Sequence, residues 1–482
     1  MHASKPMTNL AQIHAMLPKS HLMNIGIDEA RDLAITKVSS DSRKLESGEL
    51  FIALKGDRFD AHHYLSDVHH HGAAAALISD DSSCPKTMPA VYVTDTRESL
   101  GELASAWRKQ YAIPLVVVTG SNGKTTVKEM IASIFKEAAG PSHTLMTEGN
   151  LNNEIGLPLT LLRLRPEHQL AVIELGMNHP GETAQLAAIA KANIALINNA
   201  QREHQEFMES IAAVADEHAA VILALPADGI AVFPADTPYT SVWKKAANTR
   251  KQIDFAWQTE KTKKSSAVVR GYALKNGAVQ IQSPAGEIEV KLQTLGEHNC
   301  HNALAACAVA LAAGVSLENI RVGLEKFCPV SGRMQVLQLN SNLRLIDDSY
   351  NANPDSVVAA IDALAQQSGE RYLILGDMGE VGTQGPAFHE ELGLYAARSG
   401  VENLLTLGEL SRLTTDAYLR IKQDGQAKHY SELAELNQDL QAGISKCAAA
   451  QTAPITVLVK GSRFMRMERL VEALQQGAKA CS

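Results

Sequence analysis

A short loop near residue 120 carries the residue types that hold a nucleotide phosphate. The stretch TGSNGKTT (119–126) lies between an apolar run, LVVVT (115–119), and a segment whose apolar residues have helical spacing (125–138). Glycines let a backbone turn tightly so that its N–H groups point at phosphate oxygens, and the N-terminus of the following helix adds positive potential. In such a loop a lysine reaches the β- and γ-phosphates, and the next hydroxyl ligates Mg²⁺. We therefore predict that phosphate is bound by Gly120, Ser121, Asn122, Gly123, Lys124, Thr125 and Thr126.

This loop does not by itself name a reaction. Val118 stands where the full phosphate-loop pattern has its first glycine, and the shorter pattern also arises by chance in glycine-rich turns. The order of strand, loop and helix favours phosphate binding over an ordinary turn. Kinases, GTPases, motors and ligases all hold phosphates in this way, so the chemistry has to come from other residues.

Two further side chains follow neighbouring strands of the predicted sheet. Glu174 ends the run LAVIELG (170–176), and His204 comes just after IALINNA (194–200). Ligands of α/β sheets bind outside the carboxyl ends of the strands, so both side chains are placed to meet the phosphate loop. A solvated carboxylate and a surface histidine are the alternatives. We predict that Glu174, His204 and Thr125 bind metal, and that Lys124, Glu174 and His204 are catalytic.

The N-terminal region contains a group of histidines that resembles a metal cluster at first sight. They are His62, His63, His69, His70 and His71. They lack a repeated arrangement with carboxylates at ligand spacing, so we expect them on a solvated helix surface rather than around a metal ion.

The length of 482 residues predicts roughly three domains. Apolar runs alternate with helical segments on both sides of a β-hairpin pattern at 276–296, which indicates an α/β protein with parallel sheets. We predict a mixed α/β domain at 1–112, a central parallel-sheet domain with the phosphate loop at 113–330, and a Rossmann-like domain at 331–482.

Charge and composition exclude some partners. The net charge of -8 gives no basic field for nucleic acid or an anionic membrane. The N-terminus lacks the pattern of a signal peptide, and no apolar stretch is long enough to span a bilayer. The six cysteines are scattered without a CxxC pair. We expect a cytoplasmic protein, with a monomer as the default state.

Motifs in a fixed order along nearly the whole chain resemble the Mur ligase family. In addition to the phosphate loop they are DSR (41–43) followed by GELFIALKGDRFD (48–60), EGNLNN (148–153), IGLP (155–158), ELGMN (174–178), His204, GEHN (296–299) with Asn302, SGR (331–333), DDSYNANPD (347–355), LGDMGEVG (375–382), His389 and KGSRFMRMERLV (460–471). The segment 347–355 is similar to the one in the members that add a D-alanyl-D-alanine dipeptide. Other members carry different residues there.

The resemblance implies a reaction, its cofactors and its partners. A ligase of this kind uses ATP and two Mg²⁺ ions to couple UDP-MurNAc-tripeptide to D-Ala-D-Ala through an acyl phosphate, in the synthesis of the cell-wall precursor. The family implies a uridine-nucleotide domain at the N-terminus. It also implies nucleotide contacts from His298, Asn299, Arg333 and Asp348, and substrate contacts from Ser42, Asn150, Asn153, Tyr350, Asn351 and Asn353.

One departure from the family pattern affects the metal site. The family usually has a carbamylated lysine after the histidine that His204 matches, but residues 214–218 read VADEH and contain no lysine. A carbamate is a carboxylate on a long arm. Our hypothesis is that Glu217 or Asp216 supplies this charge directly, or that the second Mg²⁺ relies on His204 and water.

Two other readings compete with this one. A sibling Mur ligase or an enzyme similar to folylpolyglutamate synthase shares the phosphate loop, but the segment 347–355 and the uridine-type N-terminal region argue against it. A nucleotide-binding switch without chemistry is the alternative of another class. It has less reason to keep Lys124, Thr125, Glu174 and His204 together. The resemblance leaves open whether the third residue of the tripeptide is diaminopimelate or lysine.

Overall fold

The chain folds into α/β units built around three larger sheets. The computed structural model describes residues 6–56, 58–259, 265–423, 425–449 and 453–480. Most strands of these sheets pair in parallel and alternate with helices, so the predicted α/β class is confirmed. Within the described ranges, none of the helices combines the length and apolar character that a membrane span needs.

The N-terminal unit is built from short elements. Its strands are β1 (Thr8–Asn9), β2 (His21–Met23), β3 (Ala34–Ile35), β4 (Val38–Ser39), β5 (Leu50–Ile52), β6 (Lys55–Gly56), β7 (Phe59–Asp60), β8 (Ala75–Ile78) and β9 (Ala90–Tyr92). Its helices are α1 (Leu10–Met16), α2 (Ile27–Asp32), α3 (Leu65–His70) and α4 (Thr96–Arg108). The main sheet has the order β2-β9-β8-β5-β4 and is parallel except between β2 and β9. Asp95 caps α4 by accepting from the N–H groups of Arg97 and Glu98.

The central unit contains the phosphate loop. Its strands are β10 (Leu115–Thr119), β11 (Thr144–Met146), β12 (Leu170–Glu174), β13 (Ile194–Ile197), β14 (Ile230–Pro234), β15 (Lys251–Trp257), β16 (Val269–Ala273), β17 (Val279–Ser283) and β18 (Gly286–Val290). Its helices are α5 (Lys124–Ala139), α6 (Gly156–Leu161), α7 (Glu182–Ala190), α8 (Ile211–Leu223), α9 (Thr240–Ala247), α10 (Glu297–Ala312) and α11 (Leu317–Lys326).

The register of this central sheet brings the predicted site residues to one edge. The order is β11-β12-β10-β13-β14-β15-β16-β17-β18, parallel as far as β16 and antiparallel from there on. Val118 pairs with Glu174 on one side and with Leu196 on the other. The carboxyl ends of β10, β12 and β13 are therefore adjacent, which is where ligands bind in sheets of this kind.

The C-terminal unit is a second, mostly parallel sheet. Its strands are β19 (Gln335–Gln338), β20 (Leu343–Asp348), β21 (Glu370–Gly376), β22 (Asn403–Leu407), β23 (Gln426–Tyr430) and β24 (Ile455–Lys460). Its helices are α12 (Pro354–Ala365), α13 (Gly385–Arg398), α14 (Ser411–Ile421), α15 (Leu433–Ala449) and α16 (Glu468–Ala480). The order is β19-β20-β24-β21-β22-β23, and only β19 runs antiparallel to its neighbour.

Apolar burial joins the first two units into one core. Residues of α4, including Leu100, Leu103 and Trp107, share a single buried cluster with Leu157 and Leu161 of α6. The C-terminal sheet has its own clusters on its two faces. The N-terminal and central units therefore pack as one body around the cleft, and the C-terminal unit closes it from the other side.

Candidate active site

The phosphate loop has the backbone geometry that its sequence predicts. It leaves β10 and enters α5 through Gly123, whose φ of 77° lies in the left-handed region. A Cβ atom at Gly123 would lie 2.6 Å from the side-chain oxygen of Asn302, so a larger residue does not fit there. The N–H groups of the first turn of α5 face the cleft without a side-chain cap, as an anion site requires.

Lys124 folds back over this loop. Its Nζ donates to the carbonyl oxygens of Gly120 at 2.5 Å and Ser121 at 3.1 Å, and lies 3.4 Å from Glu203 Oε2. The carbonyls and the carboxylate hold the ammonium group over the space that phosphate oxygens take in such loops. The side chain is thus positioned to transfer its hydrogen bonds to a bound phosphate.

Glu174 lies directly beside the start of α5. The Thr125 hydroxyl donates to Glu174 Oε1 at 3.2 Å, and Asn152 Nδ2 donates to the same oxygen at 2.8 Å. The other oxygen, Oε2, is buried and has no hydrogen-bond partner among the residues that the structure describes. A buried carboxylate oxygen without a partner is costly unless a cation or water binds it. The pair Thr125–Glu174 therefore fits a hard cation held next to a phosphate.

Glu203 is a buried carboxylate that the sequence reading did not select. It is 4% exposed, with Oε1 at 2.9 Å from His218 Nε2 and Oε2 at 3.9 Å from His204 Nε2. Burial alone raises the pKa of Glu203, but the charge of Lys124 and the contacts with His218 and His204 outweigh it and hold that pKa well below its usual range. The carboxylate is therefore ionised at neutral pH.

His204 adopts a backbone conformation that is rare for residues with a side chain. Its φ is 46°, in the left-handed region, and such strain clusters at functional sites. Its Nδ1 lies 2.7 Å from Glu380 Oε2 on the C-terminal unit, although the two groups are not aligned as a hydrogen bond. The ring thus stands where the central and C-terminal units meet.

Side-chain amides connect the phosphate loop with the segment 296–302. Asn198 Nδ2 donates to the carbonyl of Asn122 at 2.8 Å and to Asn302 Oδ1 at 2.9 Å. Asn302 Nδ2 in turn donates to Asn299 Oδ1 at 3.0 Å, and Asn299 Nδ2 lies 3.1 Å from His298 Nε2. Asn299 and Asn302 are both buried. The network fixes the distance between the loop and His298, which is what a nucleotide spanning the two requires.

His298 lies in a region that disfavours a positive charge. Burial, helped by the charges of Lys460 and His301, lowers the pKa of His298 to about 4. The ring is therefore neutral at pH 7. A neutral imidazole stacks on a base or hydrogen-bonds to it without placing a charge beside it, which agrees with the nucleotide contact that the family resemblance implies.

The C-terminal unit presents an ordered wall to the cleft. Lys460 Nζ lies 2.6 Å from Asp348 Oδ2, because β20 and β24 are neighbours and these residues pair in register. Two guanidinium groups lie over the Tyr350 ring, that of Arg333 at 4.2 Å and that of Arg463 at 5.6 Å from the ring centroid. The wall therefore combines cations with one aromatic face, a surface suited to anionic substrates.

Polar contacts also run from this wall to the phosphate loop. Asn353 caps α12 through the N–H of Ser356, and its Nδ2 donates to Asn122 Oδ1 at 2.8 Å. Arg202 donates to both carboxylate oxygens of Asp355 through its backbone N–H and guanidinium group. The predicted substrate residue Asn353 thus contacts the phosphate loop itself.

A cleft of about 1670 Å³ collects nearly all the predicted site residues. Its lining includes Ser121, Asn122, Gly123, Lys124, Thr125, Thr126, Asn150, Asn153, Glu174, His204, His298, Asn299, Arg333, Asp348, Tyr350, Asn351 and Asn353. Gly120 lies in the loop beneath it. Ser42 lies apart, on a turn of the N-terminal unit, and Asp57 in the adjoining segment 48–60 falls outside the described residues.

Sequence reasoning missed part of this lining. The missed residues include Asn152, Asn198, Arg202, Glu203 and Lys460. Asn198 follows β13 directly and Glu203 precedes His204, so strand-end position was the available signal. Lys460 ends β24, so the same signal was available for it. Arg202 pairs with Asp355 and Glu391 of the C-terminal unit, and no local sequence pattern predicts a contact of this kind.

The structure disagrees with two of the sequence expectations, the replacement of the missing lysine by Glu217 or Asp216 and the solvation of the histidine group. Glu217 accepts from the backbone N–H groups of Gly181 and Thr183 with its two oxygens, and Asp216 is exposed, so neither lines the cleft in the described part of the chain. The expectation of a solvated histidine group is wrong for His62. That ring is 2% exposed because it lies 2.6 Å from Asp60 and accepts from the N–H of Ser79.

Comparison with known proteins identifies the family. The models described as Mur ligase family catalytic domain, Mur ligase middle domain, and Mur ligase glutamate ligase domain match residues 34–109, 118–310 and 332–463. The UDP-N-acetylmuramoyl-tripeptide–D-alanyl-D-alanine ligases of Escherichia coli and Haemophilus influenzae are each 38% identical over 449 residues, 93% of this chain and 95% of theirs. The chain belongs to the Mur ligase family.

A solved structure supports the same assignment. MurF from Acinetobacter baumannii superposes on this Mur ligase with a TM-score of 0.87 and 33% identity, covering 98% of this chain and 99% of the other. The resemblance read from the motifs is thereby confirmed, and so is the three-domain Mur ligase architecture.

Proposed function

We propose that this Mur ligase couples the amino group of D-Ala-D-Ala to the terminal carboxylate of UDP-MurNAc-tripeptide, using ATP. One observation carries the proposal: a single cleft joins the phosphate loop, the unpartnered oxygen of Glu174 and the wall formed by residues 347–355. Two relatives that bear this activity in their names align along 93% of the chain. The cleft is also large enough for a nucleotide beside a peptide.

The reaction needs activation of a carboxylate. A carboxylate is a poor acyl donor because an oxide would have to leave. Its oxygen therefore attacks the γ-phosphorus of ATP, ADP leaves, and an acyl phosphate forms. The amine nitrogen then attacks the carbonyl carbon, phosphate leaves with the former carboxylate oxygen, and the nitrogen loses a proton. The protein positions the reactants and offsets their charge.

Lys124 and the first turn of α5 act on the transferring phosphoryl group. Lys124 exchanges its contacts with Gly120 and Ser121 for the β- and γ-phosphates, and the free N–H groups of the helix bind the phosphate oxygens. His298 and Asn299 hold the adenine, and Arg333 and Asp348 contact the rest of the nucleotide. With these roles, we expect the γ-phosphate near the wall of the C-terminal unit, where Asn353 donates to Asn122.

Magnesium fits the residues around Glu174. Thr125 Oγ1, the unpartnered Glu174 Oε2 and the His204 ring are the groups that would hold it. No cage of three or more such side chains exists among the described residues, but Mg²⁺ usually takes one or two carboxylates and completes its shell with phosphates and water. A magnesium ion held by these groups would offset the charge of the phosphates and of the substrate carboxylate.

The second substrate enters from the C-terminal unit. Tyr350 and Asn351 line the cleft beside Asn353, and we place the dipeptide there. Asn150 and Asn153 contact the tripeptide from the central unit, while Ser42 on the N-terminal unit contacts the uridine nucleotide. We further propose that the protein is a cytoplasmic monomer. It would bind ATP, two Mg²⁺ ions and both substrates.

A phosphate-release assay tests this function. Release from ATP should require both UDP-MurNAc-tripeptide and D-Ala-D-Ala, and the product should carry both substrates in its mass spectrum. The assay is repeated with UDP-MurNAc-tripeptides that end in diaminopimelate and in lysine, and the faster reaction identifies the accepted substrate. If phosphate is released from ATP at the same rate without the two substrates, the ligase function is contradicted and a nucleotide-binding switch is favoured.

The phosphate-loop assignment has its own test. Lys124→Ala removes the ammonium group that offsets charge on the transferring phosphoryl group, so kcat should fall by roughly 100-fold or more. Lys136→Ala, in the last turn of α5 and outside the cleft lining, is the matched control and should leave kcat near the wild-type value. Near-normal turnover of Lys124→Ala contradicts the assignment.

A further inference from the structure

The buried carboxylate of Glu203 has its two oxygens in different surroundings. Oε1 is anchored 2.9 Å from His218 Nε2. Oε2 instead faces the site, 3.4 Å from Lys124 Nζ and 3.9 Å from His204 Nε2. One oxygen is therefore fixed from behind, while the other lies between the residue proposed for phosphate and a residue proposed for metal.

His218 holds this carboxylate from the protein interior. The ring is 0% exposed, and its Nδ1 lies 3.0 Å from the hydroxyl of Thr119, the last residue of β10. The imidazole thus connects the strand before the phosphate loop to Glu203. Histidines and carboxylates in the outer shell of a metal site orient ligands in this way.

Stability alone gives a poor reason for burying this group. Removing a carboxylate from water costs more than a typical ion pair returns, and apolar residues of similar volume are often at least as stable. Ala215 and Ala219, which lie near His218 in α8, belong to a buried apolar cluster. A function at the cleft explains the burial better, because the carboxylate is in contact with Lys124.

Glu203 can also supply the negative charge that the carbamylated lysine usually provides in this family. His218 itself belongs to the segment 214–218 in which that lysine is expected, and Glu217 and Asp216 are directed elsewhere. The carboxylate that lies next to His204 is Glu203, which comes from the loop after β13.

We propose that Glu203 Oε2 is a further ligand of the metal ion bound with the nucleotide, and that His218 is the positioning residue that fixes Glu203. The proposal rests on the function proposed above. When phosphates bind, Lys124 turns to them and releases Oε2, so the carboxylate becomes available as the ammonium group leaves it. No carbamate is then needed at this site.

Metal affinity measured apart from catalysis tests the proposal. The probe is Mn²⁺, followed by the electron paramagnetic resonance signal of the free ion, titrated into protein saturated with a non-hydrolysable ATP analogue. Glu203→Gln keeps the shape and the acceptor for His218 but removes the charge, so the Kd for Mn²⁺ should rise by at least about 10-fold. Binding of the nucleotide in excess chelator should stay within about twofold of wild type, since the metal is absent.

Matched variants separate this role from structure. Glu217→Gln removes a carboxylate of the same region that only caps α7, and its Kd for Mn²⁺ should match the wild type. His218→Leu should weaken Mn²⁺ by roughly 10-fold, and His218→Gln, which can still donate to Glu203, should restore much of that loss. Thermal melting checks that each variant is folded.

Several outcomes overturn the inference. The first is an unchanged Kd for Mn²⁺ in folded Glu203→Gln. The second is weaker Mn²⁺ binding in Glu217→Gln instead. The third is wild-type turnover that rises strongly with added bicarbonate. If Glu203→Gln binds Mn²⁺ normally while the ligase reaction proceeds, the inference alone fails. If wild-type protein shows no substrate-dependent phosphate release, the proposed function fails as well.

Discussion

The central unit meets its two neighbours through interfaces of opposite character. Against the N-terminal unit it buries apolar side chains, and Trp107 of α4 donates from Nε1 to the carbonyl of Leu164 at 3.2 Å. Gly101 of α4 allows the close approach of Ile189 on α7. Against the C-terminal unit, by contrast, most of the side-chain contacts are polar and include the pair of Arg202 and Asp355, while Leu295 adds an apolar contact with that unit's core.

This difference indicates which boundary moves. Separating apolar surfaces exposes area to water at a cost that grows with the area. Ion pairs and amide contacts at the edge of a cleft can exchange their partners for water at little net cost. We therefore expect the N-terminal unit to stay with the central unit, and we predict that the C-terminal unit opens and closes the cleft.

The largest expected effect comes from breaking the apolar interface. Trp107→Ala removes a buried ring and its hydrogen bond, so the free energy of unfolding should fall by about 3–5 kcal/mol. Urea denaturation followed by circular dichroism measures it. Because the two units share a core, both should unfold in one transition.

The control for this variant is a tryptophan within one unit. Trp243 is fully buried and donates to the carbonyl of Ala215 at 3.0 Å, so Trp243→Ala removes a similar group without touching the boundary. If Trp107→Ala unfolds in two steps, with the N-terminal unit lost first, the first two units are independent and the comparison of interfaces fails.

The next effect is on turnover rather than stability. Arg202→Ala removes the guanidinium group that bridges Asp355 and Glu391, and the closed cleft becomes less populated. We expect kcat/KM to fall by roughly 10-fold while stability changes by about 1 kcal/mol or less. Steady-state kinetics and urea denaturation of the same sample measure both. A stability loss as large as that of Trp107→Ala would contradict the assignment of this boundary as movable.

Part of the site can be predicted from the sequence alone. The runs 115–119, 170–176 and 194–200 predict adjacent parallel strands because continuous β-branched and apolar residues indicate buried strands, and the structure places β10, β12 and β13 side by side. Strand-end logic then locates Glu174 and His204 at the cleft. Position relative to a strand is a local property, so one sequence suffices.

Contacts between residues that are distant in the sequence are not a local property, and a single sequence does not predict them. Glu203 precedes His204, yet its burial depends on His218 and Lys124, which lie far from it in sequence. The absence of carboxylates at ligand spacing predicts a solvated surface for His62, but its ring is buried, because it contacts Asp60 and accepts from the N–H of Ser79, 17 residues further along the chain. Pairings of this kind are set by tertiary packing, which residue type and spacing do not encode.

Domain closure gives a smaller and more global signal. Binding of a non-hydrolysable ATP analogue together with UDP-MurNAc-tripeptide should rotate the C-terminal unit toward the cleft, because the substrates add contacts between the units. Small-angle X-ray scattering should show a smaller radius of gyration with the ligands, and Arg202→Ala should start from a larger one. Identical profiles with and without ligands contradict the closure.

The smallest expected effect is the titration of His298, which reports on the same boundary. Burial, with help from Lys460 on the C-terminal unit, lowers the pKa of His298 to about 4 from an ordinary 6.5. The unfolded chain therefore takes up a proton that the folded chain refuses as the pH falls from 6.5 toward 4, so this residue makes folding less stable over that window.

Carbon-13 labelling of histidine rings and nuclear magnetic resonance would follow this titration, with His298→Gln to assign the signal. In Arg202→Ala the boundary opens more often, water reaches the ring and Lys460 moves away, so the pKa of His298 should lie closer to its ordinary value than in wild type. A pKa that is equally low in both proteins would mean that the polar boundary holds without Arg202. The difference between the two interfaces would then be one of composition and not of mobility.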